Sequence, residues 1–236
     1  MPSVLVHGDM HMGNIMLAID KGGNITNEIA AIVDWQTLHE DNLHELSKKY
    51  RKFSLNKDFY HYANKQSYID LKMPSILVHG DMHMGNIMLA IDKGGNITNE
   101  IAAIVDWQTL HEGSPMSDLA RFLVFCADGV VRRQAEAMAL KYYYECLVKE
   151  FGNDPTKVPY TIEQLKKAYN FAFLTQAFFI LADLDFFFGP ISDRELNEGI
   201  KNAYYDYGVL KALHAYQDAD RLLQGEMKEF FDKYGI

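Results

Sequence analysis

The chain has 236 residues, 48% hydrophobic and 13% aromatic, enough apolar side chain to bury a core, which excludes wholesale disorder. With 32 acidic against 23 basic residues the formal charge is −9, so no bulk positive surface exists to neutralise a phosphate backbone, and nucleic acid is excluded as the main partner. The two cysteines, Cys126 and Cys146, lie in apolar stretches, as expected of reduced thiols in a cytoplasmic protein rather than of a secreted disulfide framework.

The amino terminus has no basic region and reaches His7 and Asp9 too soon for a signal-peptide apolar segment, so secretion is not expected. Residues 1–40 recur at 73–112, an offset of 72, with 39 of 40 positions identical and Val4 against Ile76 as the one difference. Stacked structural repeats normally differ at surface positions, so the identity suggests a recent partial duplication or an error in assembling the gene. The chain around each copy separates them. The second copy continues into Gly113-Ser-Pro-Met-Ser-Asp-Leu-Ala-Arg-Phe-Leu123 and a long helical region, whereas the first continues into the polar Asp41-Asn42-Leu43-His44-Glu45. Residues 1–40 are therefore expected not to form an independent domain, 41–72 to be a helical connector, and 73–236 to be the folded lobe. The first copy's strands present the same side chains as the second's, so self-association through the duplicated segment is also expected.

The connector reads as two helical pieces, about 43–53 and 58–71. In the second copy, 75–78 is a short apolar run ending in a polar loop. The runs 87–91 and 100–105 flank Asp92-Lys93-Gly94-Gly95-Asn96, which predicts a β-hairpin. Ser117-Asp118 can cap a helix through about residue 127, Asp128-Gly129 interrupts it, and 132–151 repeats Ala135, Met138, Ala139, Tyr142 and Cys146 at helical spacing. Thr161-x-x-Gln164 is a capping box opening a helix that is predicted to end before Gly189-Pro190, and Ser192-x-x-Glu195 is a second one. The most apolar stretch, 171–189, is broken by Gln176, Asp183 and Asp185 and predicts a buried helix rather than a membrane span. One or two helices follow to residue 234, with Gly208 as a break. Short strands feeding a helical body define an α+β fold.

The informative residues are His79-Gly80-Asp81-Met82-His83-Met84-Gly85-Asn86, followed twenty residues later by Ile104-Val105-Asp106-Trp107-Gln108. In phosphoryl transfer one aspartate accepts the proton of the attacking hydroxyl, an asparagine five positions on holds a magnesium ion, and a second aspartate holds the metals that bridge the phosphates. Asp81, Asn86 and Asp106 have that spacing, Gly85 permits a close turn before Asn86, and the hairpin brings Asp106 back beside it. The expectation is that Asp81, Asn86 and Asp106 converge on one polar cleft.

These residues resemble the catalytic core of the choline kinase and aminoglycoside phosphotransferase superfamily, HGDxxxxN followed by a strand ending in DW, and most of all its CHK kinase-like branch, to which HGDMHMGNIM, IVDWQ and SDLARFL are similar. The resemblance covers roughly 43–236. It implies a kinase-like C-terminal lobe made of the catalytic loop, the hairpin and a mainly helical body. Asp81 would be the base, with His79 supporting the loop by hydrogen bonding, and Asn86 and Asp106 would be the Mg²⁺ ligands. ATP would be the phosphoryl donor and an unidentified small-molecule hydroxyl compound the acceptor, with no nucleic acid or membrane partner. Asp118 would brace the site or cap its helix. The chain departs from the family pattern in residues 1–72, which contain no Gly-rich loop followed by a strand lysine, so the N-terminal lobe is missing, ATP binding is doubtful, and the fragment is expected to be impaired or inactive. His7, Asp9, Asn14 and Asp34 repeat the motif without the helical body and carry little weight as a site.

Two readings stand beside this one. A non-catalytic pseudokinase or binding fragment follows if the missing lobe is decisive. Gly80-Asp81-Met82-His83 with Gly85-Asn86 also resembles the loops of dinuclear metallophosphoesterases, which need further His and Asp ligands at strand ends. The aromatic trios Tyr142-Tyr143-Tyr144, Phe186-Phe187-Phe188 and Tyr204-Tyr205-x-Tyr207 are expected to be mostly core, although one or two could line an acceptor pocket in which Asp183 and Asp185 attract a cation such as a quaternary ammonium.

Overall fold

The structure, a computed structural model, describes residues 15–19, 25–32, 35–192 and 197–235. His7, Asp9, Asn14, Asp34 and Glu195 lie outside the described residues.

The two copies form the same hairpin in the same register. Strands β1 (Ile15–Ile19) and β2 (Ile25–Ile32) pair antiparallel with Ile15 opposite Ile32. A third strand, β3 (Ile76–Val78), precedes the second hairpin, in which β4 (Ile87–Ile91) and β5 (Ile97–Ile104) pair with Ile87 opposite Ile104, the same alignment 72 positions on. The β4–β5 turn is closed by Asp92, whose Oδ1 accepts the backbone N–H groups of Gly94 at 2.8 Å and Asn96 at 2.9 Å. The strand β6 (His111–Gly113) pairs antiparallel with β3, Ile76 lying opposite Gly113, and closes the loop segment between them at its base.

Helix α1 (Trp35–Ser54) begins eight residues before the expected first piece and continues through Glu40 and Leu43 without interruption. The second piece is α2 (Lys57–His61), one π-helical turn (Tyr62–Gln66) and α3 (Ser67–Asp70), opened by Asn56, whose side chain accepts from the N–H groups of Asp58 and Phe59. After the site come α4 (Ser117–Cys126), α5 (Gly129–Glu150), α6 (Ile162–Ser192), α7 (Glu198–Gln224) and α8 (Lys228–Tyr234). Asp128 caps α5 through the N–H groups of Val130 and Val131, so the interruption read at Asp128-Gly129 is real and the helix starts three residues earlier than its apolar period showed. The Thr161–Gln164 capping box forms in both directions, Thr161 Oγ1 accepting from Gln164 N–H and Gln164 Oε1 from Thr161 N–H.

Two expected stops are corrected. α6 runs through Gly189-Pro190 to Ser192. Gly208 lies buried inside α7, and the break comes instead at Gly225, whose backbone (φ −111°, ψ −117°) leaves the helix.

α6 is the central rod of the core, packed against α4 and α7, and α1 packs against α7 and meets α6 through Phe178. Tyr50, Phe53 and Phe59 from the connector are fully buried among Phe178 and Phe231, the Phe53 and Phe59 rings 4.2 Å apart and Phe53 and Phe178 5.5 Å apart. Each such ring contributes roughly 1.5–3 kcal/mol by leaving water. The connector is thus built into the same core as the lobe. Between α5 and α7 the buried Arg132, with Arg133 and Arg221, surrounds the Asp218 carboxylate. Both cysteines are free. Among the described residues, no helix is long and apolar enough to cross a membrane.

His214 on α7 accepts the Gly129 N–H through Nδ1 at 3.1 Å, tying α7 to the start of α5. Burial, then the nearby Arg133 charge, lowers its pKa below the ordinary histidine value. The unfolded chain therefore takes up the proton first. This contribution is complete above the unfolded value, about 6.5, and is lost as pH falls toward the folded one. Thermal melts at pH 7.5 and 5.5 should show a larger loss in the wild type than in His214→Gln, whose amide oxygen can still accept from Gly129; equal losses would contradict the assignment.

Candidate functional site

The site is a loop between β3 and β4 and the end of β5, held together by one imidazole. β3 delivers His79 into the interior, where it is 1% exposed. Its Nε2 donates to the Val105 carbonyl at 2.8 Å and its Nδ1 accepts the Asp81 N–H at 3.3 Å, which fixes the ring proton on Nε2. His79 therefore bonds both the residue before Asp106 and the backbone of Asp81. Thr109 Oγ1 donates to the His79 carbonyl at 2.8 Å, and the Trp107 ring packs 4.7 Å from the imidazole.

Asp118, at the start of α4, accepts the His79 N–H at 2.8 Å and the Gly80 N–H at 2.9 Å, one on each carboxylate oxygen. It braces the loop, as its sequence position suggested. Gly80 has φ +86°, and a Cβ there would stand 2.6 Å from the Thr109 carbonyl oxygen, so this position accepts only glycine. Gly85 plays a different part from the one expected. It lies in a 3₁₀ turn (Met84–Asn86) without positive φ, and a Cβ would meet the His83 ring at 2.8 Å. Its smallness makes room for His83, whose Nδ1 accepts the Gly85 N–H.

Asn86 is 6% exposed; its Nδ2 donates to the Asp81 carbonyl at 2.9 Å and its own carbonyl accepts the Val105 N–H at 3.0 Å. With the amide nitrogen committed, Oδ1 is the group left to accept or to bind a cation. Asp106 follows Val105 directly and adopts the left-handed conformation, φ 64° and ψ 56°. That costs a non-glycine residue about 1 kcal/mol or more and is characteristic of functional sites. The loop and the strand end thus meet through Asn86–Val105 and His79–Val105, with Asp81, Asn86 and Asp106 on the joined segments.

Asp81 faces a cleft of about 470 Å³ lined by Tyr60, Asn64, Thr109, Arg121, Gln176 and Phe179 among others. Neither Asn86 nor Asp106 lines it, so Asp81 divides an open cleft from the Asn86–Asp106 side. The sequence reading missed Arg121. Its Nη2 donates to Asp81 Oδ1 at 3.1 Å and its Nη1 to Asp183 Oδ2 at 2.5 Å, and Asp183, at 6% exposure, is otherwise buried. Burial raises the Asp183 pKa, with Arg121 acting in the opposite direction. The signal was present as an arginine one helical turn after Asp118, but the Asp183 partner lies 62 residues away. The expectation that Asp183 attracts a ligand cation is corrected, since its carboxylate is already taken by Arg121. The side chains of Asp185, Phe186, Phe187 and Phe188 lie outside what the structure describes. Tyr142, Tyr204, Tyr205 and Tyr207 are exposed and line no part of this cleft, which takes its aromatic walls from Tyr60 and Phe179.

The DUF1679 family, described as "Uncharacterized oxidoreductase dhs-27", matches residues 39–219, and the chain belongs to it. The ecdysteroid kinase-like family matches residues 2–44, which hold the first copy of the HGDMHMGN and DW motifs, and residues 74–112 repeat 2–40 of that stretch with Ile76 as the one change. The first copy of the motif is thus similar to a kinase-like family. A curated relative, "Uncharacterized oxidoreductase dhs-27" of Caenorhabditis elegans, is 29% identical over 164 residues, 69% of this chain. The chain spans 20% of the length of that relative. No solved structure matches.

Asp118→Ala leaves two N–H groups of the loop without acceptors and should cost roughly 2 kcal/mol in urea unfolding. In a Trp35→Phe background it should also shift Trp107 emission, because Trp107 rests on the ring of His79, whose backbone N–H Asp118 holds. An unchanged Trp107 spectrum would show that the brace does not set the loop.

Proposed function

We propose that this chain carries the acceptor-side and metal-side half of a small-molecule kinase, one that moves a phosphoryl group from Mg-ATP to a hydroxyl. The observation that supports this most is the double tether of Val105 to His79 and Asn86, which sets Asp106 beside the loop bearing Asp81. Asp81, 30% exposed and facing the cleft, takes the proton of the attacking hydroxyl. Asn86, through Oδ1, and Asp106 are hard oxygen donors and fit magnesium, which completes its shell with water and phosphate oxygens. When bound, the ion offsets charge on the transferring phosphoryl group. His79 and Asp118 hold the loop so that base and metal donors keep their places.

Residues 1–72 contain no Gly-rich loop followed by a strand lysine, so we expect weak nucleotide binding and slow transfer by this chain. Two other readings have less support. A dinuclear phosphoesterase needs a cluster of His, Asp or Glu ligands, and none is found among the described residues. The oxidoreductase in the relative's name has no counterpart in this chain, which holds no Gly-x-Gly, and whose described strands pair only antiparallel.

The test is transfer of labelled phosphate from Mg-ATP to a panel of hydroxyl compounds at high enzyme concentration. Asp81→Asn should reduce the rate on the order of 10²–10⁴-fold, as loss of a general base does. Asp106→Asn should reduce it and raise the Mg²⁺ requirement. Transfer unaffected by Asp81→Asn would overturn the reading, and nucleotide-dependent metal binding without transfer would favour the non-catalytic alternative.

A further inference from the structure

The Arg121 guanidinium occupies surroundings that normally receive an organic cation. Its Cζ stands 4.8 Å from the centre of the Phe125 ring and 5.8 Å from that of Phe179. Its nitrogens donate to both oxygens of Asp183, to Gln176 Oε1 at 3.3 Å, and to Asp81 Oδ1. Aromatic faces with carboxylates behind them are the arrangement that binds quaternary ammonium and guanidinium groups. Here the cation is part of the chain, reaching in from α4 and only 11% exposed.

The rest of the cleft agrees. Asp81 and Arg121 are its charged lining residues and offset each other, and Tyr60, Asn64, Thr109, Thr175, Gln176 and Phe179 are uncharged. A second cation entering beside Asp81 would meet the guanidinium at close range and lose water on the way, with the best anionic partner already engaged. An uncharged hydroxyl compound with an apolar body meets no such repulsion. It can lie against Tyr60 and Phe179 and hydrogen-bond to the amides and hydroxyls.

We propose that Arg121 is a built-in occupant of this aromatic and carboxylate niche, closing the cleft to cationic ligands and reserving the Asp81 face for uncharged hydroxyl compounds. The statement about acceptors rests on the kinase reading above. The statement about cations does not, and it is tested by binding alone.

The probe is tetramethylammonium, titrated calorimetrically without nucleotide into wild type, Arg121→Ala, Arg121→Met, Arg121→Lys and the double variant Arg121→Ala with Asp183→Asn. Wild type and Arg121→Lys should bind negligibly. Arg121→Ala, folded by circular dichroism, should bind at least about tenfold more tightly than wild type, and the double variant should lose the gain. Arg121→Met, which keeps a side chain between the rings without charge, is the second reporter should Arg121→Ala not fold, and should also gain. Wild-type binding as tight as that of a folded neutral variant would overturn the proposal, as would a folded neutral variant that gains nothing. Absence of phosphoryl transfer would count against the kinase reading and leave this result standing.

Discussion

The site depends on a single imidazole with two fixed hydrogen bonds. A carbonyl can only accept and a backbone N–H can only donate, so His79 between Val105 and Asp81 must carry its proton on Nε2. Because the ring is almost fully buried, losing either bond would leave a polar group unpaired in the interior, which is costly. This constraint joins a loop and a strand end that are 26 residues apart in sequence. Around it, Asp118 fixes the start of the loop, Gly80 supplies the backbone angle, and Asn86 holds the loop's far end to Asp81 and Val105. The left-handed Asp106 is tolerated because the residues on both sides of it are held, Val105 by two hydrogen bonds and Trp107 by packing on His79 and by its Nε1 donating to the Ile104 carbonyl.

Much of this was legible in the sequence because it is local. The hairpin announced itself through apolar runs around Asp92–Asn96, the α6 capping box through Thr161 and Gln164, and the contact between Asn86 and Asp81 through a five-residue spacing. What was not legible depends on partners far along the chain. The same residues, Trp-Gln-Thr-Leu-His-Glu, open helix α1 at Trp35 but form a 3₁₀ turn and the strand β6 from Trp107 onward. Intrinsic propensity is equal in the two places, so tertiary surroundings decide. In the first copy Asp41-Asn42-Leu43 continues the helix into a stretch whose Tyr50 and Phe53 are buried in the core. In the second, Gly113-Ser114-Pro115 cannot continue one, and the backbone pairs with β3 instead. Gly208 and Pro190 were read as stops, and both lie within helices.

Arg121 belongs to this second group. Nothing local distinguishes an arginine in Ser-Asp-Leu-Ala-Arg from a solvated one. Its role appears only when α6 brings Asp183, Gln176 and Phe179 alongside. The buried pairing gives the cleft its neutral balance and leaves Asp81 ionically linked to the core, so the loop carrying Asp81, its brace and the helical body form one connected unit.

In the proposed reading the loop and the strand end make one metal-binding edge, with Asn86 and Asp106 as its donors. Paramagnetic broadening by Mn²⁺ of amide signals in ¹⁵N-labelled protein tests it most directly. Signals of residues 86 and 106 and their neighbours should broaden together at the lowest Mn²⁺ concentrations, and Asp106→Asn should abolish both effects. Broadening centred elsewhere, or unchanged in Asp106→Asn, would contradict the account.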